Sequence, residues 1–418
     1  MPSELPSLQP TDSIWSQLGA DIDGEADVDF SGRSVSLSAD GRTVAVGAGG
    51  NDGAGANAGH ARVYRYVEVN SSWSWTQLGA DLDGEAAGDW SGTSVSLSAD
   101  GNTVAVGASL NDGNGAACAG HARVYRYDGV TSSWGQLGAD LDGEAAGDEA
   151  GKSVSLSADG NTVAVGAIFN DGNGANAGHA RVYRYVEVNS SWSQLGFDIN
   201  GEAAGDEAGK SVALSADGNT VAVGAHKNDG NGADAGHARV YRYDEVDSSW
   251  GQLGADIDGE AAGDQAGVFV SLSADGNTVA VGAIFNDGNG ANAGHARVYR
   301  YVEVNSSWSW TQLGADIDGE AADDHAGNSV ALSADGNTVA VGAHKNDGNG
   351  ADAGHARVYR YDEVNSSWSQ LGADIDGEAA GEQAGISVSL SADGNTVAVG
   401  ANIVGAGRAR VYKNSYHV

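Results

Sequence analysis

The chain has 418 residues, 65 of them glycine and 3 proline, with a single cysteine and a formal charge of −36 from 57 acidic and 21 basic side chains. A hydrophobic content of 41% is ample for a core and argues against disorder; no Gly-X-Y period is present, which excludes collagen, and one cysteine excludes an intrachain disulfide. The charge repels nucleic acid and anionic lipid and attracts cations or a basic partner, and no run approaches the ~18 apolar residues of a membrane-spanning helix.

Residues 1–13, "MPSELPSLQPTDS", read as a tail with neither the basic nor the apolar region of a secretion signal. The first strand-like run follows at 14–22, "IWSQLGADI". Its W-x-Q-L-G core returns with glutamines at Gln17, Gln77, Gln136, Gln194, Gln252, Gln312 and Gln370, spaced by 58–60 residues. Each repeat holds four runs rich in β-branched or aromatic residues. In the third these are "SVSLS" (153–157), "TVAVGA" (162–167), "ARVYRY" (180–185) and "SWSQLG" (191–196), here called strands A, B, C and D. "ADGN" between A and B is a tight hairpin signal, and "VEVNSS" or "DEVNSS" between C and D a looser one. The Asn-Ser-Ser segments at Asn70, Asn189, Asn305 and Asn365 read as turns rather than glycosylation sites.

No segment has helical periodicity. Four antiparallel strands in about 58 residues, repeated seven times, predict an all-β chain forming one seven-bladed β-propeller. The blades fall at about 33–80, 93–139, 152–197, 210–255, 268–315, 328–373 and 386–413. The chain starts with a D strand and ends on a C strand, so strand 14–22 is expected to complete the last blade and close the ring within one domain, 14–418.

These runs resemble the FG-GAP repeats of integrin α-subunit propellers. "A-G-x-S-V-S-L-S" is similar to the F-G-x-S-V entry of that repeat, with Ala in five blades and Ser31 and Ser91 in the first two. "V-A-V-G-A" resembles its G-A-P, and "G-H-A-R-V-Y" its G-x-V-Y-V. The resemblance implies a propeller used for adhesion or protein contact, at a cell surface or outside the cell. It also implies a calcium loop between strands A and B, and there the chain departs from the pattern. That loop has one acid per blade (Asp40, Asp100, Asp159, Asp217, Asp275, Asp335, Asp393), too few for the 6–8 oxygens of calcium. These aspartates read as turn formers.

Alternate connectors of a meander lie at one end, so the D-to-A and B-to-C loops share a face. Together they carry 39 of the 57 acids. The B-to-C segment "NDGNGANAG" reads as a turn. The D-to-A loop offers acids at relative positions 1, 3, 5 and 9 around a glycine that bends the chain. Four loops supply the candidate sets: Asp81, Asp83, Glu85 and Asp89; Asp140, Asp142, Glu144 and Asp148; Asp256, Asp258, Glu260 and Asp264; Asp316, Asp318, Glu320 and Asp324. Each set is a candidate Ca2+ site held within its own loop.

His60, His121, His179, His237, His295 and His355 open strand C, with Arg408 in the seventh place, and are expected to make structural hydrogen bonds. His226 and His344 are expected at the surface. The Trp of each D strand is expected to pack between sheets, whereas Trp90, in a D-to-A loop, is a candidate exposed contact. No nucleophile–base–acid arrangement is present, and the sevenfold repetition of the acids argues for a rim rather than one tuned pair. The expected function is a monomeric, non-catalytic adhesion or protein-binding scaffold with a basic partner and calcium as its structural ion. The alternative is a carbohydrate-binding propeller with one glycan site per blade.

Overall fold

The alternating runs form strands, and the computed structural model describes residues 14–304, 306–402 and 405–415. The 1–13 tail and the Asn305 turn lie outside the described residues. Seven antiparallel sheets, each ordered A-B-C-D, make a seven-bladed β-propeller. In the third blade the strands are Ala150–Leu156, Thr162–Ala167, His179–Val186 and Ser191–Gln194. Among the described residues the one helical element is a 3-10 turn at Gly113–Gly115. No helix there is long and apolar enough to cross a membrane.

Closure follows the expected plan with one difference. Ile14–Gln17 pairs antiparallel with the outer end of the last C strand, Ile14 opposite Ser415 and Gln17 opposite Tyr412. Ile22–Asp23 pairs separately with Ala409 and Arg408. The expected single strand 14–22 is thus two pieces. Gly19 breaks it by adopting φ +69°, a conformation that costs glycine nothing. Every blade repeats the break, so a two-residue strand after D returns to pair with the start of C.

The core lies between blades rather than within them. Strand B is buried along its whole length in every blade, for example Thr162–Ala167. Ala105, Ala122, Val124 and Leu141 of the second blade pack on Val154, Leu156, Val163 and Val165 of the third. Ile22, Ala398, Ala409 and Val411 pack in the same way on Val35, Leu37, Val44 and Val46, so the seam is sealed like any other junction. At the A-to-B end, the N–H of Ala39 donates to Ala99 O, Ala99 to Ala158, Ala158 to Ala216, Ala216 to Ala274, Ala274 to Ala334, Ala334 to Ala392, and Ala392 back to Ala39. All seven bonds are 2.8–2.9 Å.

Such close approach explains the glycine of "VAVGA". A methyl group on Gly224 would collide with the carbonyl oxygen of Gly267 in the next blade. Gly224→Ala is therefore expected to lower unfolding free energy by about 3 kcal/mol, the upper range of overpacking costs. Gly251→Ala, where the new methyl would lie 3.9 Å from Arg242 O, is the control and should cost under about 0.5 kcal/mol. Urea denaturation of both variants checks this, and equal midpoints would refute the interblade account.

Candidate metal centre

The site is built by the two-residue strand that follows each D strand. Side chains alternate across a strand, so in Asp81-Leu82-Asp83 the leucine enters the core and both aspartates face the other way. Leu82 is 6% exposed. The short ladder puts Asp83 opposite His60, Asp142 opposite His121, Asp258 opposite His237 and Asp318 opposite His295. Asp81, Asp140, Asp198, Asp256, Asp316 and Asp374 each come within 3.5–4.0 Å of the Nδ1 of the local histidine.

The glutamate of the same loop turns away to the next blade. Glu85 joins His121 and Asp140, and Glu144 joins His179 and Asp198. Glu260 joins His295 and Asp316. Glu320 reaches His355 at 4.0 Å, where Asp374 and Asp376 also converge. Glu25 with His60 and Asp81, and Glu202 with His237 and Asp256, complete six such groups. Over the second blade the group borders a cleft of about 550 Å³ lined by Glu85, Asp140 and Asp142.

The four acids of one loop therefore do not surround a common point. The two aspartates serve one blade, the glutamate serves the next, and the fourth acid serves neither. Asp89 Oδ2 accepts the N–H groups of Glu85 and Ala86 at 3.0 and 2.8 Å and the Asn111 amide at 3.0 Å. Asp148, Asp264 and Asp324 repeat this with Asn170, Asn286 and Asn346. All four are 2–3% exposed and hold the loop in shape.

"NDGNGANAG" is a self-bonded turn. Asp171 Oδ1 accepts the N–H of Asn176 at 2.8 Å, and Asn170 Oδ1 that of Gly172 at 2.8 Å. The A-to-B aspartates are also turn formers: Asp100 accepts from Ser98 Oγ and the Asn102 N–H at 2.6 and 2.9 Å.

The histidines depart from expectation. All six are 1–3% exposed, yet none of their Nδ1 atoms has a hydrogen-bond partner. Burial, followed by the charge of the arginine two residues on, lowers each imidazole pKa, so the rings are neutral near pH 7. A buried polar atom without a partner costs about 1–3 kcal/mol. Here it is repeated six times, facing carboxylates. The carboxylates are strained as well. Burial, then the neighbouring Asp81, Asp256, Asp316 or Asp374, pushes the pKa of Asp83, Asp258, Asp318 and Asp376 up.

Arginine divides the groups in two. Arg123, Arg181 and Arg239 make paired bonds to Asp140, Asp198 and Asp256 at 2.7–3.0 Å. They also pair with Glu85, Glu144 and Glu202. Burial opposes ionisation of Asp140 and Asp256, but the arginine bonds outweigh it and hold both pKa values below the usual range; at Asp198 the bond from Arg181 is the largest influence. In blades one, five and six the arginine turns aside. Arg62, Arg297 and Arg357 leave the aspartate and donate instead to the carbonyls of Asp23, Asp258 and Asp318, staying 3.4 Å from Glu25, Glu260 and Glu320. Their aspartates Asp81, Asp316 and Asp374 are left facing the histidine. In the seventh blade Arg408 stands where the others have histidine. Its guanidinium lies 2.9 Å from Asp21 and 3.6 Å from Asp23, beside Arg410.

Sequence reasoning placed the aspartates and glutamates in the candidate set but left out the histidines, as well as Glu25, Asp198, Glu202 and Asp374. The alternation of Asp-Leu-Asp opposite a Gly-His start was the signal that joined them. Trp90 is half-buried, with φ +57°, and stacks on Phe30 at 6.1 Å. The tryptophan repeated in every D strand packs between blades as expected, its indole N–H donating to a leucine carbonyl of the preceding blade, as Trp192 does to Leu137 at 2.6 Å; the extra Trp73 and Trp308 are 45% and 55% exposed and stack on Tyr66 and Tyr301. The repeated tryptophan is therefore not an open platform for one glycan per blade. His226 and His344 are not at the surface: they are 6% and 9% exposed.

No protein-family model matches the chain, and no curated protein sequence does. Solved structures similar to it include Kuenenia stuttgartiensis hydrazine synthase, at 14% identity and TM-score 0.54 over 92% of this chain and 94% of that one. A candidate 6-phosphogluconolactonase from Bacteroides uniformis is 12% identical, with TM-score 0.54 over 82% and 85%. The periplasmic gluconolactonase of Pseudomonas aeruginosa is 18% identical, with TM-score 0.51 over 82% and 85%. At these identities the likeness establishes the shared propeller fold. It also corrects the expectation of a non-catalytic adhesion scaffold, since the solved propellers that share the fold are named as enzymes. The physical flaw lay in arguing from repetition. The rim is nearly identical from blade to blade, but the residues that line the axis at one equivalent position are Arg33, Thr93, Lys152, Lys210, Val268, Asn328 and Ile386.

Proposed function

We propose that this chain is a multivalent divalent-cation-binding propeller. Each Glu–His–Asp group takes one ion, which clamps two successive D-to-A loops. The observation that carries the reading is the buried Nδ1, unpartnered in six blades and turned toward carboxylates that repel one another. Arg408 supports it: where the histidine is missing, a covalently attached cation stands in its place. The donor set is one imidazole nitrogen with two or more carboxylates. Imidazole suits zinc, nickel or copper, whereas calcium takes an all-oxygen shell. Zinc is therefore proposed ahead of the calcium expected from the acids alone. Kinship with FG-GAP propellers and an extracellular setting remain part of the proposal, supported by the "A-G-x-S-V" and "V-A-V-G-A" segments.

The test is calorimetric titration of chelator-stripped protein with Zn2+, Mn2+ and Ca2+. Three tighter sites are expected in blades one, five and six, and three weaker ones where Arg123, Arg181 and Arg239 already occupy the carboxylates. At 100 times the dissociation constant each ion adds about 2.7 kcal/mol to stability. His295→Gln with Asp316→Asn should remove one tight site and leave the rest. Zinc that bound no more tightly than calcium, or left the melting curve where chelator put it, would refute the proposal.

A further inference from the structure

The central channel carries chemistry opposite to that of the rim. It encloses about 430 Å³, lined mainly by the start of strand A in every blade, where a repeated serine and valine follow one position that varies, a volume that suits a small ligand. The seven residues at the varying position fall into two arcs. Blades one to four supply Arg33, Thr93, Lys152 and Lys210, and blades five to seven supply Val268, Asn328 and Ile386. Phe269, Ile284 and Phe285 widen the apolar arc.

The charges do not balance. Glu149 is taken by Lys152 at 3.0 Å, and Glu207 by Lys227 at 2.7 Å with His226 at 3.5 Å. Among the described residues Arg33 and Lys210 have no carboxylate within ion-pair distance. Burial first, then repulsion by Lys152, lowers the pKa of Lys210; Glu207 and Glu149 pull the other way without cancelling it, and Arg33 adds to the lowering. Two cations without a direct ion pair at the axis of a chain carrying −36 overall form a local inversion of sign. Lys152 and Lys210 fall in a bulge of strand A, outside the pairs it makes with strand B.

We infer that this channel binds one small organic anion, with a carboxylate or phosphate headgroup on Arg33 and Lys210 and an apolar body against Val268, Phe269 and Ile386. The acid-rich loops around the mouth repel polyanions, so the ligand is small and carries a single charged group. The inference is independent of the rim clusters, whose carboxylates attract cations.

The test uses the full chain in chelator at low ionic strength, titrated with phenyl phosphate, benzoate, inorganic phosphate and neutral benzyl alcohol. Phenyl phosphate, benzoate or both should bind with one-to-one stoichiometry, their ratio naming the headgroup. Inorganic phosphate should bind more weakly and benzyl alcohol not at all. Arg33→Gln and Lys210→Gln should each weaken binding about tenfold or more, as expected for loss of a charge-assisted bond. Lys210→Gln should also melt higher than wild type without the anion, because a repelled buried charge is gone, and should gain less than wild type when it is added. Unchanged affinity in both variants, equal binding of benzyl alcohol, or no binding of either aromatic anion would overturn the inference. With chelator present, none of these outcomes touches the zinc reading.

Discussion

Removing residues 14–23 is expected to abolish the single cooperative melt and to produce a chain that self-associates. The segment supplies the outer strand of the last blade and the Ile22–Asp23 ladder. It also supplies Ile22 in the core, with Leu18 and Trp15 packed on neighbouring blades. At about 1.5–3 kcal/mol for each fully buried large apolar side chain, and less for the two partly buried ones, the loss is roughly 4 kcal/mol or more. Arg410, 3% exposed, also loses Asp21, which lies 3.1 Å away. A domain typically has about 5–15 kcal/mol in total. Strand Arg408–Ser415 becomes an open edge, a template for pairing between chains. Size-exclusion chromatography and calorimetry of the truncated chain check this. Adding a peptide of residues 14–23 should restore monomer and melting temperature, because an added strand recreates the missing ladder. A truncated chain that stayed monomeric and melted like the whole protein would contradict the closure.

Stability is also expected to fall steeply as pH drops from 7 toward 4, measured in chelator to silence any metal. Burial, then the charge of His325 and Lys345, holds His344 at about 4, and burial with Lys210 and Lys227 holds His226 at about 3. Both folded pKa values lie below the unfolded value near 6.5. The unfolded chain therefore binds more protons in this window, and stability present above pH 6.5 is lost as pH falls toward the folded values. At 1.36 kcal/mol per unit, His344 alone accounts for roughly 3 kcal/mol. The six strand-C histidines act in the same direction. Asp83, Asp258, Asp318 and Asp376, whose pKa values are raised, oppose them, gaining protons on the folded side only near the carboxylate range. Blades three and five use Ile168 and Ile284 at the positions of His226 and His344. His226→Ile with His344→Ile should therefore fold normally, flatten the slope between pH 6.5 and 4, and leave stability at pH 7.5 unchanged or higher. A wild-type melting temperature independent of pH over that range would show that neither ring is buried neutral.

These residues also show what was legible in the sequence. A D-type run before any A strand, and no D after the last C, were enough to predict closure, because an unpaired edge has one available partner. The candidate acids were legible as a set but not as sites. Glu85 and Asp140 are 55 positions apart and meet only because consecutive blades stand side by side. Within the loop Asp89 looked like Asp81, and backbone amides rather than composition decided that it caps. His226 and His344 were misplaced because a histidine beside lysine, asparagine and aspartate reads as polar surface, while the turn carries it to the axis. The channel residues were overlooked because repetition drew attention to what the blades share.

A helix frays at its two ends, but the circle of bonds from Ala39 to Ala392 and back has no end. Every residue in it donates its N–H to one neighbouring blade and accepts at its C=O from the other. None of the seven amides can open as a terminal unit; one is released only when two adjacent blades part. In hydrogen exchange they are expected to behave as a single class with one opening free energy, that of the ring itself.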